Sequence, residues 1–174
     1  NILKMPLKKN FFDTVYSWGV LHHTGNTRKA FDIAASLTKN NGKLAIYVYE
    51  KHPIYQYNNQ LLRILAGIRA SLIISPLRFI SQYLSARNVI RLFTPIFYCE
   101  KFFDFGVVGC HGTNDDKFNK KRYFRAVIDR FKTKYASEHS NEEIVNWFFE
   151  NSFDDLKIGN GTKVCITGTK IMDI

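Results

Sequence analysis

Two adjacent histidines, His22 and His23, have side chains suited to acid–base chemistry. Imidazole titrates close to neutral pH, so a neutral histidine can take a proton from a hydroxyl or acid substrate as a general base. Side chains of neighbouring residues on an extended segment point in opposite directions. We therefore expect one of these histidines to face a substrate and the other to be structural.

The histidines follow a segment that is predicted to be a β-strand. Thr14 to Trp18 is rich in β-branched and aromatic residues and ends at Gly19. Turn-forming residues come next, and Asn26 or Thr27 is placed to cap a helix. Apolar residues then repeat at helical spacing: Ala30, Phe31, Ile33, Ala34 and Leu37. The pattern predicts a strand, a loop and an amphipathic helix.

A second strand is predicted after this helix. Asn40-Asn41-Gly42 contains residues that tolerate positive φ, which is how helices end. Leu44 to Tyr49 is apolar at nearly every position, as in a strand buried on both faces. Two buried strands joined by a crossover helix form the βαβ unit of a doubly wound α/β sheet, where ligands bind at the carboxyl ends of the strands. That rim would hold Ser17, Trp18, Gly19, His22, His23 and the residues from Tyr49 to His52.

The sequence FDTVYSWGVLHHT, followed by the helix and then by KNNGKLAIYVY, resembles the second half of a class I S-adenosylmethionine-dependent methyltransferase, of the methyltransferase type 11-like kind. In that family the fourth strand reads roughly FDxVxxxxVLHH, and the fifth follows a turn usually written KPGG. The turn here lacks the proline and keeps Gly42. The resemblance implies strands four and five of a Rossmann-like methyltransferase sheet.

The resemblance also implies a cofactor, S-adenosylmethionine, and residues that contact it. The first seven residues, NILKMPL, are similar to the family's D-A-x-x-L-P-F segment, so Asn1 stands at the position that contacts the adenine amine and Ile2 at the position beside the ring. The sulfonium end would be lined by Ser17, Trp18 and Gly19; alternatively, Trp18 packs between strand and helix. The two histidines would lie near the transferring methyl, where alignment for in-line displacement does much of the work.

From Lys51 to Cys99 the chain has no Asp or Glu. Apolar residues recur there at helical intervals, Pro76 and Pro95 are expected to divide the stretch into at least two helices, and arginines interrupt every apolar run, so no membrane span is expected. Two interpretations remain open. These basic amphipathic helices form a substrate lid that meets an anionic or lipid-like molecule or an acidic membrane surface, or they form a helical subdomain whose arginines are solvated.

A capping box, Ser140 with Glu143, precedes another predicted helix. The segment before it is similar to a family segment whose loop reaches over the pocket. We therefore expect substrate contacts from Arg130, Tyr135, His139 and also Tyr49. The alternative is a polar network that holds the lid on the domain.

The C-terminal part predicts two strands joined by an Asn-Gly hairpin. By resemblance these are strands six and seven, the last antiparallel between five and six; Ser152 stands where the family usually has glycine. The expected fold is α/β: a partial doubly wound, Rossmann-like methyltransferase sheet with strands four to seven plus a helical insertion. We expect residues 1–52 and 125–174 in the methyltransferase domain and residues 53–124 in the insertion.

Composition sets further expectations. The 174 residues fit one core, and the three cysteines are odd in number and widely spaced, which favours a reducing compartment, no disulfide framework and no metal site. The chain begins with Asn and carries no secretory signal or glycine-rich cofactor loop, so we expect a fragment that is inactive alone and a cytoplasmic protein, peripheral at a membrane if the basic helices lie on one.

The expected partner is a small-molecule or lipid-like substrate. A formal charge of +10 also raises an alternative function, a basic amphipathic membrane- or nucleic-acid-binding module without catalysis. Nucleic acid is not expected, because the aromatic residues lie in apolar patterns and no binding motif is present.

Overall fold

A computed structural model of the chain describes residues 2–50, 60, 61, 64, 68, 70–102, 120–159 and 164–172. The chain divides into two compact units. The first unit comprises Asn1–Pro53 and Tyr135–Ile174, and the second unit comprises Ile54–Lys134. Residues 125–134, which the sequence analysis assigned to the methyltransferase domain, belong to the second unit, and the assignment of a methyltransferase domain with an insertion stays a prediction.

Strands and helices alternate in the first unit, and the elements described in the second unit are helices. In chain order the elements are a 3-10 helix Ile2–Lys4, β1 Phe12–Trp18, a 3-10 helix Leu21–His23, α1 Thr27–Leu37, β2 Thr38–Val48, a π-helix Ala70–Ile74, α2 Ser75–Tyr83, α3 Ala86–Phe102, α4 Lys120–Val127, a π-helix Ile128–Lys132, α5 Asn141–Glu150, β3 Phe153–Ile158 and β4 Val164–Lys170.

The four described strands form one sheet in the order β1-β2-β4-β3. Strands β1 and β2 are parallel, with Ser17 opposite Ile46 and Trp18 opposite Tyr47. Strand β4 is antiparallel to both of its neighbours. This is the order that the sequence analysis expected for strands four, five, seven and six, and it confirms the partial Rossmann-like methyltransferase fold.

Helices α1 and α5 pack on one face of this sheet. Helix α1 begins where predicted, because the Asn26 side chain accepts a hydrogen bond from the Lys29 amide. Its Phe31 contacts Phe148 of α5, with ring centroids 5.1 Å apart. Burying each such side chain stabilises the fold by about 1.5–3 kcal/mol. Along β4, Val164 and Ile166 face this core because side chains alternate between the two faces of a strand.

The expectation that both parallel strands are buried is wrong for β1. This strand lies at the edge of the described sheet, and its Tyr16 and Trp18 are 76% and 66% exposed. These two side chains alternate with Ser17, which is buried. Apolar character alone does not distinguish a strand buried on both faces from one whose aromatic side chains stay in solvent.

The predicted turn at Asn40-Asn41-Gly42 is a bulge inside β2 rather than the end of a helix. Helix α1 ends at Leu37, β2 begins at the next residue, and its register with β1 shifts at this point. Asn41 takes a φ of +62°, as the residue type allowed. A Cβ on Gly42 would lie 2.8 Å from the Lys39 carbonyl oxygen, so glycine is required there.

The second unit has its own apolar core, formed by α2, α3, α4 and the π-helix Ile128–Lys132. Phe93 and Phe131 contact each other there, with ring centroids 4.6 Å apart. Pro76 lies in the first turn of α2, where proline is tolerated. Pro95 was expected to end a helix, but it lies inside α3, which continues past it. Among the described residues no helix is both long enough and apolar enough to cross a membrane.

Candidate functional site

The carboxyl end of β1 combines a buried hydroxyl with an exposed aromatic ring. Ser17 is 9% exposed, and its hydroxyl has no hydrogen-bond partner within the described part of the chain. Trp18 stacks on Tyr47 of β2, with ring centroids 4.8 Å apart and planes 16° apart. Trp18 therefore does not pack between strand and helix. Gly19 leaves the strand with a φ of +71°, and its amide donates to the Tyr47 carbonyl at 3.0 Å.

The two histidines lie together rather than on opposite sides. The sequence analysis assumed an extended segment, but Leu21–His23 is a 3-10 helix, and the two imidazole centroids are 4.2 Å apart. Both rings contact Tyr49, at centroid distances of 3.9 Å for His22 and 5.4 Å for His23. The expectation of opposite directions is wrong because it applied strand geometry to a helical turn.

The surroundings of the histidines assign them different roles. His22 is 1% exposed and packs as a core residue. Nδ1 of His23 lies 2.7 Å from the Tyr135 carbonyl oxygen, which can only accept a hydrogen bond. In neutral His23 the proton is therefore on Nδ1 and the lone pair on Nε2, the atom of a general base. Nε2 is also covered in this structure, so access to it requires movement of neighbouring side chains.

The loop from Tyr135 to Ser140 is fastened to the carboxyl ends of both strands. The Ser137 amide donates to the His22 carbonyl at 3.0 Å, and the His139 amide donates to the Tyr49 carbonyl at 2.8 Å. The Tyr135 ring lies against Gly25, where a Cβ would approach it to 3.1 Å. The structure thus brings Tyr49, Tyr135 and His139 to the histidines.

His139 connects this loop to helix α5. It is 8% exposed, with Nε2 3.1 Å from Ser137 Oγ and Nδ1 3.1 Å from Glu143 Oε1. Hydroxyl, imidazole and carboxylate are also the groups of a nucleophilic triad. The Ser137 hydroxyl, however, is held at 2.6 Å by Thr27 Oγ1 and contacts the His22 carbonyl at 3.2 Å. These contacts fasten the loop, in agreement with the alternative of a polar network for His139.

Sequence reasoning missed Ser137 and Thr27. Single hydroxyl residues 110 positions apart carry no pattern that pairs them. The one local signal was the capping box, of which one half forms: the Glu143 amide donates to Ser140 Oγ at 3.2 Å. The Glu143 carboxylate also contacts His139.

The remaining candidate residues lie elsewhere. Asn1 is outside the described residues, as is the predicted hairpin turn at Asn160-Gly161. Ile2 is partly buried against the core of the first unit. Arg130 belongs to the second unit, on the π-helix Ile128–Lys132, so its contact with a substrate stays a prediction. No group of three or more metal-ligating side chains occurs among the described residues.

A comparison with protein-family models matches the N-terminal part of the chain. A family model described as a methyltransferase domain matches residues 1–46. No curated protein matches the sequence.

Three solved structures are similar to the chain, and the chain covers about two thirds of their length or less. A SAM-dependent methyltransferase, possible histamine N-methyltransferase, from Thermotoga maritima is 14% identical, with 97% of this chain and 61% of that chain covered and a TM-score of 0.47. A SAM-dependent methyltransferase from Methanosarcina mazei is 13% identical, with 99% and 66% covered and a TM-score of 0.46. A possible exported protein from Bordetella parapertussis is 9% identical, with 99% and 43% covered and a TM-score of 0.47. Identities this low and TM-scores below 0.5 establish no function for the chain.

The family match covers β1, α1 and most of β2, the elements that carry the motifs quoted above. These elements form the parallel pair and crossover helix that the motifs predicted. Residues 1–46 therefore match a methyltransferase domain, in agreement with the resemblance that the motifs of this segment indicated.

Proposed function

We propose that this chain takes part in S-adenosylmethionine-dependent methyl transfer to a small-molecule or lipid-like acceptor. One observation carries the proposal: within the matched segment, a buried hydroxyl, Ser17 Oγ, lies without a described partner at the carboxyl edge of two parallel strands. Leaving a buried polar group unsatisfied costs about 1–3 kcal/mol. A ligand that forms a hydrogen bond there would satisfy this group, and this edge is where doubly wound sheets bind ligands.

The residues at this edge fit one wall of a cofactor site. Ser17 offers a hydroxyl, Gly19 offers backbone without a side chain, and Trp18 offers an aromatic face that attracts cations. S-adenosylmethionine, when bound, supplies a methyl group on a positively charged sulfur. The contribution of this chain is to hold that group beside the strand ends and to exclude water from one side.

The acceptor side of the site would be formed by His23, Tyr49 and Tyr135. Tyr135 is 45% exposed, so it can contact a bound molecule. His23 would accept the acceptor's proton at Nε2 if the acceptor is a hydroxyl or an acid.

The test compares two buried serines. Ser81 of α2 is also fully buried, and its hydroxyl also has no partner among the described residues, but it lies in the second unit. S-adenosylhomocysteine, the stable product form, is titrated into the chain and into the Ser17→Ala and Ser81→Ala variants, with affinity read from NMR shifts. Because the family's glycine-rich loop is not among the residues matched here, we expect weak binding, with a Kd of about 1 mM.

Ser17→Ala should weaken this binding by about three- to tenfold, the value of one hydrogen bond. Neither variant should lose thermal stability, because neither hydroxyl has a described partner. A Ser17→Ala variant that binds as tightly as the native chain contradicts the assignment. A loss of thermal stability in Ser17→Ala but not in Ser81→Ala would show that the Ser17 hydroxyl stabilises the fold instead of binding a ligand.

A further inference from the structure

The second unit exposes apolar side chains at helical spacing along its first part. These residues are Leu61, Ile64, Ile68, Leu72, Phe79, Ile80 and Tyr83, and we call them the exposed stripe. Their exposed fractions range from 48% for Ile80 to 77% for Tyr83. Side chains three, four or seven residues apart along an α-helix lie on one face, and most neighbouring members of the stripe are separated by these steps.

In helix α2, the side chains of the exposed stripe are not the ones that pack against the core of the second unit. Ile74, Leu77 and Leu84 pack against the core of the second unit, and Ser81 is fully buried. Phe79 and Tyr83 lie away from that core and contact each other, with ring centroids 5.2 Å apart. Within the described residues, helix α2 therefore has apolar side chains both towards this core and away from it, and those that face away are exposed. Contiguous apolar surface of this kind marks a contact with another molecule or with a membrane.

The charge of the second unit restricts what this contact is. Residues 54–134 hold 14 of the chain's 25 basic residues and 5 of its 15 acidic ones, so this unit carries a formal charge of +9 out of the total of +10. No acidic residue occurs from Lys51 to Cys99, which includes the whole exposed stripe. Arg87 and Arg91, both exposed, follow the stripe on α3. An apolar face on a stretch that carries basic and no acidic residues complements a surface that is apolar inside and anionic outside.

We propose that the exposed stripe docks the chain on a membrane surface that contains anionic lipids. A second copy fits less well, because two units of charge +9 repel each other. A nucleic acid would use the arginines, but aliphatic Leu61, Ile64 and Leu72 have no role against bases or phosphates. Amphipathic helices with a basic polar side insert such residues into the boundary between headgroups and acyl chains.

The experiment is flotation of the whole chain with vesicles of phosphatidylcholine, alone or with about 30% phosphatidylglycerol, which gives an anionic surface. The variant Leu72→Gln/Phe79→Gln/Tyr83→Gln removes apolar area from the stripe. The matched control, Tyr16→Gln/Phe149→Gln, changes exposed aromatic residues of the first unit, 76% and 56% exposed. Circular dichroism verifies that both variants are folded.

We expect binding to the anionic vesicles, a loss of at least about tenfold in partitioning for the stripe variant, and no change for the control. Arg87→Gln/Arg91→Gln should lower partitioning by roughly fivefold per arginine. Raising the salt concentration to about 0.5 M should lower the partitioning of the native chain onto anionic vesicles, because salt screens the attraction between the arginines and the lipid headgroups.

Equal binding by the stripe variant and the native chain overturns the proposal, as does the absence of binding to anionic vesicles. Sedimentation velocity tests the alternative that a second copy of the chain covers the exposed stripe. A native chain that sediments as a dimer, with a monomeric stripe variant, would assign the face to a second copy and overturn the membrane assignment. Because none of these measurements uses S-adenosylmethionine, their outcome is independent of the proposed methyl transfer.

Discussion

The two units of this chain use apolar residues in different ways. In the first unit, α1 and α5 turn their apolar faces onto the sheet, and 11 basic residues are nearly balanced by 10 acidic ones. In the second unit, a helical core coexists with the exposed stripe and a formal charge of +9. A helical apolar period therefore predicts that a helix has an apolar face, whereas the charge around that face helps to show whether it folds the chain or meets a partner.

The largest expected effect tests whether the two cores are separate. Phe148 in the first unit and Phe93 in the second are both fully buried. Replacing either by Ala should lower the free energy of unfolding of its own unit by about 3–5 kcal/mol. Amide exchange measured by mass spectrometry reports each unit separately, and each variant serves as the control for the other. Equal acceleration of exchange in both units by either variant would show one cooperative core instead.

The next effect concerns the loop that covers the site. His139→Ala removes the imidazole that bridges Ser137 and Glu143, and we expect a loss of about 1–3 kcal/mol. Amides of residues 135–140 should exchange faster, whereas those of the second unit should not change. Glu142→Gln, at an exposed position beside this network, is the control and should cost less than about 1 kcal/mol. If the Ser137 amide exchanges at the same rate in His139→Ala as in the native chain, the backbone hydrogen bonds alone hold the loop.

A smaller effect compares helix ends in the two units. Ser152 follows α5 with a φ of +60°, which glycine adopts more readily. Ser152→Gly should raise the stability of the first unit by up to about 1 kcal/mol. In the second unit, Ser85→Gly should instead lower stability by a few tenths of a kcal/mol, because Ser85 Oγ accepts from the Asn88 amide at the start of α3. Chemical denaturation of each variant measures the change in its free energy of unfolding. An increase in both variants would contradict this explanation.

The smallest effect is electrostatic. The hydrogen bond and charge of Lys39 lower the pKa of Asp13 from its usual 3.8. The pair therefore adds stability above the unfolded-state pKa, and this contribution is lost as the pH falls through the lower, folded-state value. Asp13→Asn should be slightly less stable than the native chain at about pH 5 and equally stable at about pH 2. A difference between the two that persists at the lower pH would show that Asp13 acts through something other than its charge.

Local rules predicted much of the first unit. Asn26 caps α1, the Leu44–Val48 segment forms the strand beside β1, and β4 alternates as its sequence indicated. The resemblance supplied the strand order, including the antiparallel last strand. These features depend on short-range periodicity, on capping residues and on a motif with fixed spacing.

The features that sequence reasoning missed depend on long-range packing. The geometry of His22 and His23 follows from a 3-10 turn held by Ser137, more than a hundred residues away. The bulge at Asn41 and Gly42 follows from the register between β1 and β2. Pro95 continues a helix that a local rule would end. None of these carries a signal in a window of a few residues.

The central claim is that the carboxyl edge of β1 and β2 is the wall of a cofactor site. The most direct test maps the amide shifts of the isotopically labelled chain during titration with S-adenosylhomocysteine, up to about 10 mM because weak binding is expected. The account predicts shifts concentrated at Ser17, Trp18, Gly19 and the 3-10 turn Leu21–His23, with the second unit largely unchanged. Shifts confined to the second unit, or none at the highest concentration, would contradict it.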